Sequence, residues 1–163
     1  MKKNSFYYIL TGLVAIIAII ADILSKLAVI HYVKGKTIDV IPNFFSLIYS
    51  VNYGAVFGTM KGMLPLFLLV IAVFLVIVFY SRNKLLGNKT LCVSYGLVIG
   101  GALGNIIDRL LIPPFGGVTD FLDFHLKSSA GLFSYPVFNL ADCFILVGAV
   151  ILIVKFKSRE NDK

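Results

Sequence analysis

Four stretches of the chain, 6–30, 62–81, 90–111 and 137–154, run largely apolar for about 20 residues or close to it, the length an α-helix needs to cross a bilayer. Few water-soluble folds absorb four such runs in 163 residues. Disorder is excluded as well, because 59% of the residues are hydrophobic and only 14% carry charge. The second run is uncharged and holds only Pro65 near its start, where a proline costs least. The first follows Lys2 and Lys3 as a signal peptide would, but its core is too long and no small-residue cleavage site follows, so it reads as a retained helix.

The basic residues orient these spans. Of 15 Lys and Arg, nine lie before the first span, between the second and third, or after the fourth. Four lie on the two much longer alternate connections, and Lys26 and Arg109 sit within spans. Short cytoplasmic connections collect Lys and Arg, so both termini are expected in the cytoplasm. The net charge of +7 then needs no nucleic acid to explain it. The outer segment 37–57 is rich in Ile, Val, Phe and Tyr and is broken by Pro42-Asn43, Gly54 and Gly58, which predicts strands. The expected fold is thus an all-α membrane protein, one domain over 1–163, with four transmembrane helices and a small extracytoplasmic β-sheet.

With orientation set, a rise of about 1.5 Å per residue gives each polar side chain a depth. Asp22 and Lys26 fall about 12 Å and 6 Å from Ile30, in the outer half of span one. Asn105, Asp108 and Arg109 lie at the outer end of span three, and Asn139 and Asp142 at the outer start of span four. Asp120 and Asp123 lie on the connection between these two spans. Local explanations exist for each group. Asp22 and Lys26, four apart, form a self-neutralising pair as readily as a functional one. Arg109 has the reach to snorkel, and a helix start accommodates Asn139 and Asp142 as caps. Capping leaves the joint convergence unexplained.

The motifs of Ser-His, metal-hydrolase and nucleotide chemistry are absent, and His31 and His125 are the only imidazoles, His125 reading as a loop surface residue. Cys92 and Cys143 sit in apolar runs without ligand spacing and read as small buried hydrophobes, so neither a metal nor a cofactor is expected. What remains is a group of carboxylates near an interface. Two brought together do not readily both ionise, and such a pair activates water and protonates a leaving amine.

The segments Asp22-Ile-Leu-Ser-Lys26, Asn52-Tyr-Gly-Ala-Val-Phe57, Gly100-Gly-Ala-Leu-Gly-Asn-Ile-Ile-Asp-Arg109, Val118-Thr-Asp-Phe121 and Phe138-Asn-Leu-Ala-Asp142 closely resemble, in order, those of the bacterial lipoprotein signal peptidases, or signal peptidase II. The resemblance implies a membrane aspartic endopeptidase that removes signal peptides from prolipoproteins, cutting before a cysteine already modified with diacylglycerol. It implies a catalytic pair at Asp120 and Asp142. Asn52, Gly54, Asn105, Arg109, Asn139 and Ala141 match substrate-site positions, and Asp22, Lys26 and Asp108 match supporting polar ones. It further implies lipid-modified prolipoproteins and membrane lipids as partners, a monomer in the bacterial cytoplasmic membrane with its site near the outer face, and sensitivity to globomycin. Thr119 departs from the aliphatic residue common in the family, and the stretch from His125 to Gly131 finds no match.

Which aspartate is base and which is acid stays open at this level. Asp123 competes with Asp120 for the second carboxylate, but three residues apart on a strand they face opposite ways. Two other classes of function compete: a small transporter relaying cations or protons through Asp22 and Asp142, and an assembly subunit whose polar residues are helix glue. The outer position of the carboxylates and the length of the outer segments favour the peptidase.

Overall fold

The computed structural model describes residues 2–53, 88–112, 114–128 and 131–161. Three helices and four strands follow in the order α1 (Lys2–Tyr32), β1 (Ile38–Ile41), β2 (Phe45–Asn52), α2 (Lys89–Leu111), β3 (Val118–Ser128), β4 (Gly131–Ser134) and α3 (Leu140–Asn161). The expected span 62–81, Gly54, and the end of the expected strand segment, 54–57, lie outside the described residues.

Helix α2 packs between α1 and α3. Its small residues allow this. A Cβ added at Gly100 would lie 2.6 Å from the Ala18 Cβ of α1, and one at Gly101 would lie 2.5 Å from the Ala141 carbonyl of α3. Close backbone approach through small residues is how helices associate where lipid removes the hydrophobic drive. Polarity is inverted relative to a soluble bundle. Asp22, Lys26, Asn105 and Asp108 are buried, whereas Ile16, Ile17, Ile20 and Leu24 of α1 and Leu146, Val150 and Ile153 of α3 are exposed. Among the described residues, Ser5–Tyr32 and Lys89–Leu111 are long and apolar enough to cross a membrane.

The sheet is antiparallel throughout, in the order β1-β2-β3-β4. Pro42 and Asn43 make the predicted turn between β1 and β2: Asn43 adopts φ 63°, and the Phe44 N–H donates to the Ile41 carbonyl at 3.1 Å. The connection before the last helix, where a loop was expected around His125, instead forms β3 and β4. Its Val, Phe and Leu residues sit among polar ones in a way that suits a strand with two unequal faces. The sheet therefore draws half its described strands from the connection between α2 and α3. Val29, Val33 and Phe121 form a buried cluster that seats the sheet on the C-terminal end of α1.

The third described helix begins later than the span expected from 137. Phe138 is held in extended conformation by Leu122 of β3, with Phe138 N–H to Leu122 carbonyl at 3.2 Å and Leu122 N–H to Phe138 carbonyl at 2.8 Å. Asn139 then starts the helix, and the sheet and helix bundle are joined at that residue.

Candidate active site

Asn139 and Asp142 form a reciprocal helix cap. The Asp142 N–H donates to Asn139 Oδ1 at 3.1 Å, and the Asn139 N–H donates to Asp142 Oδ2 at 3.2 Å. This is the capping-box arrangement with Asn and Asp in the two roles, and it fixes the Asp142 carboxylate at the helix N-terminus, where the dipole favours negative charge. Capping leaves the Asn139 amide free to reach sideways. Its Nδ2 donates to Asp120 Oδ1 at 2.7 Å and also to Asn105 Oδ1 at 3.2 Å.

Asp120 enters from β3, opposite Ser50 of β2. Beside it the pairing slips, so that Ile48 and Tyr49 of β2 face the single Phe121 of β3. Such bulges recur where a strand must aim a functional side chain. Asn52, on the same face, donates from Nδ2 to Asp120 Oδ2 at 3.1 Å. Each Asp120 oxygen therefore accepts one amide N–H, while the residue is only 3% exposed. Burial, and then the charge of Asp142, push the Asp120 carboxyl up to about 7, against the smaller opposing pull of the Asn52 and Asn139 amides and the Lys26 charge.

Asn105 of α2 completes the link. Its Nδ2 donates to Asp142 Oδ1 at 3.0 Å, and its Oδ1 accepts from Lys26 Nζ at 2.9 Å. Lys26 also donates to Asp22 Oδ2 at 2.7 Å and lies 3.2 Å from Asp108 Oδ2. Asp22 Oδ1 accepts the Ala141 N–H at 3.0 Å, and Asp108 Oδ2 accepts the Thr119 N–H at 2.7 Å. Arg109, half-buried at the end of α2, donates to the Asn105 carbonyl at 3.3 Å and lies within the field of Asp120, Asp142 and Asp108. All the predicted site residues within the described segments are thus brought to one level; Gly54 is outside them.

Asp123 does not join them. It sits partly exposed, its Oδ2 3.2 Å from His125 Nδ1, so His125 belongs to β3 and not to a loop. Asp39, on β1, accepts from Ser46 Oγ at 2.7 Å. Among the described residues no group of three His, Cys, Asp or Glu side chains is placed to hold a metal ion.

Asp120 and Asp142 open into one cavity of about 730 Å³, lined also by Asn52, Phe124, Tyr135, Phe138 and Cys143. The aromatic wall was not anticipated. Phe45, Phe124 and Phe138 stack in a row across β2, β3 and the segment before α3, with centroids 4.6 Å and 5.7 Å apart, and Tyr135 meets Phe138 edge-on at 5.8 Å. Phe45, Phe124 and Phe138 lie on three separate segments, so no local pattern in the sequence marks the wall. Cys143 is half-buried on the cavity and not in the core, whereas Cys92 is fully buried as expected. The cavity is thus walled by aromatic rings and carries two carboxylates, the mix of apolar lining and few polar groups usual in a binding site.

Residues 14–157 match the family model described as signal peptidase (SPase) II. The lipoprotein signal peptidase of Halothermothrix orenii is 40% identical over a 152-residue alignment covering 91% of this chain and 96% of that protein. That of Rickettsia conorii is 34% identical, covering 99% of this chain and 79% of the relative. A bacterial membrane enzyme solved by the in meso method at 2.3 Å superposes with a TM-score of 0.78 at 29% identity, over 94% of this chain and 90% of its own. A second, solved at 1.9 Å, gives 0.74 at 30% identity, over 90% of this chain and 91% of its own. The chain belongs to the signal peptidase II family of membrane proteases.

Proposed function

We propose that the protein is an aspartic endopeptidase that removes signal peptides from diacylglyceryl-modified prolipoproteins, cleaving before the lipidated cysteine with Asp120, Asp142 and a water molecule. The observation that carries this reading is the meeting of the two aspartates on one cavity, each oriented by the same Asn139. Both are tied through rigid elements, as a preorganised acid/base pair requires.

The burial of Asp120 beside Asp142 supports a division of roles. Asp120, held up to about 7, carries the proton near neutral pH, and its partner carboxylate Asp142 is the base. Water adds to the scissile carbonyl carbon while its proton passes to Asp142. The Asp120 proton is shared with the carbonyl oxygen as negative charge develops there. Collapse breaks the C–N bond, and the proton held by Asp142 goes to the leaving nitrogen. The products are a signal-peptide carboxylate and a free amino group on the lipidated cysteine.

The inverted polarity of the helices supports a protein embedded in a membrane, and the distribution of Lys and Arg supports cytoplasmic termini with the site near the outer face; the reading places it, as a monomer, in the bacterial cytoplasmic membrane. At that depth the acyl chains of the substrate stay in the bilayer while the peptide bond reaches water. Asn52, Gly54, Asn105, Arg109, Asn139 and Ala141 bind or shape the substrate, and no metal or cofactor is required. The test is cleavage of a diacylglyceryl-modified precursor by purified protein, blocked by globomycin and unchanged by chelators. Substantial activity in Asp120→Asn or Asp142→Asn overturns the dyad, and proton-coupled flux without cleavage overturns the peptidase.

A further inference from the structure

The buried ions of the helix bundle do not touch the cavity. Asp22 and Lys26 are fully buried and Asp108 is 1% exposed, and none of the three lines the space that holds Asp120 and Asp142. A buried ion cluster is an expensive way to stabilise a bundle, since apolar residues of similar volume often serve as well. Its hydrogen bonds show a regularity that stability alone does not require. Asp22 accepts the N–H of Ala141, the residue before Asp142, and Asp108 accepts the N–H of Thr119, the residue before Asp120. Lys26 lies between these two carboxylates, 2.7 Å from one and 3.2 Å from the other. Its third contact, to Asn105 Oδ1, turns the Asn105 amide nitrogen onto Asp142.

We propose that Asp22, Lys26 and Asp108 are one positioning unit, which fixes the spacing of the two catalytic aspartates by gripping the peptide N–H that precedes each of them. The unit works through α1 and α2, where the Asp22 carboxylate packs so tightly on the α2 backbone that a Cβ at Gly104 would lie 2.6 Å from its Oδ2. Strand β3 and helix α3 come from different parts of the fold, and within each the grip falls one residue from the aspartate. Loss of the Lys26 ammonium removes the donor that Asp22 Oδ2 and Asn105 Oδ1 share and the cation beside Asp108, so the two grips are no longer held at one spacing. A displacement of about 1 Å at the reacting groups costs about 100-fold in rate. The inference rests on the dyad reading above.

The test measures kcat and KM on a lipid-modified precursor for Lys26→Met, Asp22→Asn and Asp108→Asn, each normalised to the folded fraction from its thermal unfolding transition in detergent. The expected result is a fall of about 100-fold in kcat per folded molecule, with KM changed by less than about threefold, and strong non-additivity in Asp22→Asn/Asp108→Asn. Asp39→Asn, on the remote strand β1, keeps the parent kcat. If Lys26→Met does not fold, the two aspartate variants carry the measurement. A kcat per folded molecule within threefold of the parent in Asp22→Asn and Asp108→Asn overturns the proposal and leaves the cluster a stability device. Asp120→Asn and Asp142→Asn run alongside: activity there defeats the dyad reading itself, whereas inactivity there with full kcat in the cluster variants defeats only this inference.

Discussion

Replacing Asp120 by Asn tests the proton assignment through stability, independently of catalysis. In the folded protein the carboxyl is pushed from its ordinary 3.8 to about 7 by burial and by the Asp142 charge. Between those values the folded state holds a proton that the unfolded chain has lost. Stability is then greatest below 3.8 and falls as pH rises to about 7, after which the loss is complete. At about 1.4 kcal/mol per pH unit the full loss is about 4 kcal/mol, and about 3 kcal/mol of it falls between pH 5 and 8. The amide introduced by Asp120→Asn does not titrate, so the variant escapes this loss. It brings a cost of about 1–3 kcal/mol, independent of pH, because its Nδ2 must face the amide donor of Asn52 or of Asn139. The difference in melting temperature, variant minus parent, should therefore rise between pH 5 and pH 8 by about 6–12 °C at this chain length. Thermal unfolding in one detergent at both pH values reads it. An unchanged difference would show that Asp120 carries no proton across this range, and the acid role would pass elsewhere.

Three further outcomes follow from the same geometry. The pH profile of kcat/KM should fall on its alkaline side through about 7, because Asp120 loses its proton there, and a profile flat to pH 9 would contradict that role. Gly104→Ala should lose most activity, since the new Cβ would lie 2.6 Å from Asp22 Oδ2, and cleavage per folded molecule reads this directly. Thr119→Val should cost less than about 1 kcal/mol of thermal stability, because the side-chain hydroxyl lies 3.4 Å from Asp108 Oδ1 while the backbone N–H bond at 2.7 Å persists.

Much of the site was legible from spacing along helices. Asp22 and Lys26 four apart, Asn105 and Arg109 four apart, and Asn139 three before Asp142 each fix a relation that the helix repeats faithfully. Their convergence was expected from the helix rise, and the motif order then singled out Asp120 and Asp142. The opposite facing of Asp120 and Asp123 was also legible, as the burial of one and the partial exposure of the other bear out. The connection from 112 to 136 was not. Strand identity depends on a partner, and β3 finds β2 on one side and β4 on the other from distant or later sequence.

The sequence by itself determined a membrane protein of the signal peptidase II family, the helical spacing of its ionisable residues and the identity of its candidate carboxylates. These properties depend on composition, on short-range spacing and on motif order. Only the tertiary structure decided how the carboxylates meet. The bridge between Leu122 and Phe138 brings the cap of α3 to β3, and so lets one asparagine hold both aspartates. Packing of α1 against α2 places Lys26 between Asp22 and Asp108. A hydrogen bond between residues 79 positions apart, such as Lys26 to Asn105, depends on which faces of two helices touch, and no local pattern in the chain encodes that contact.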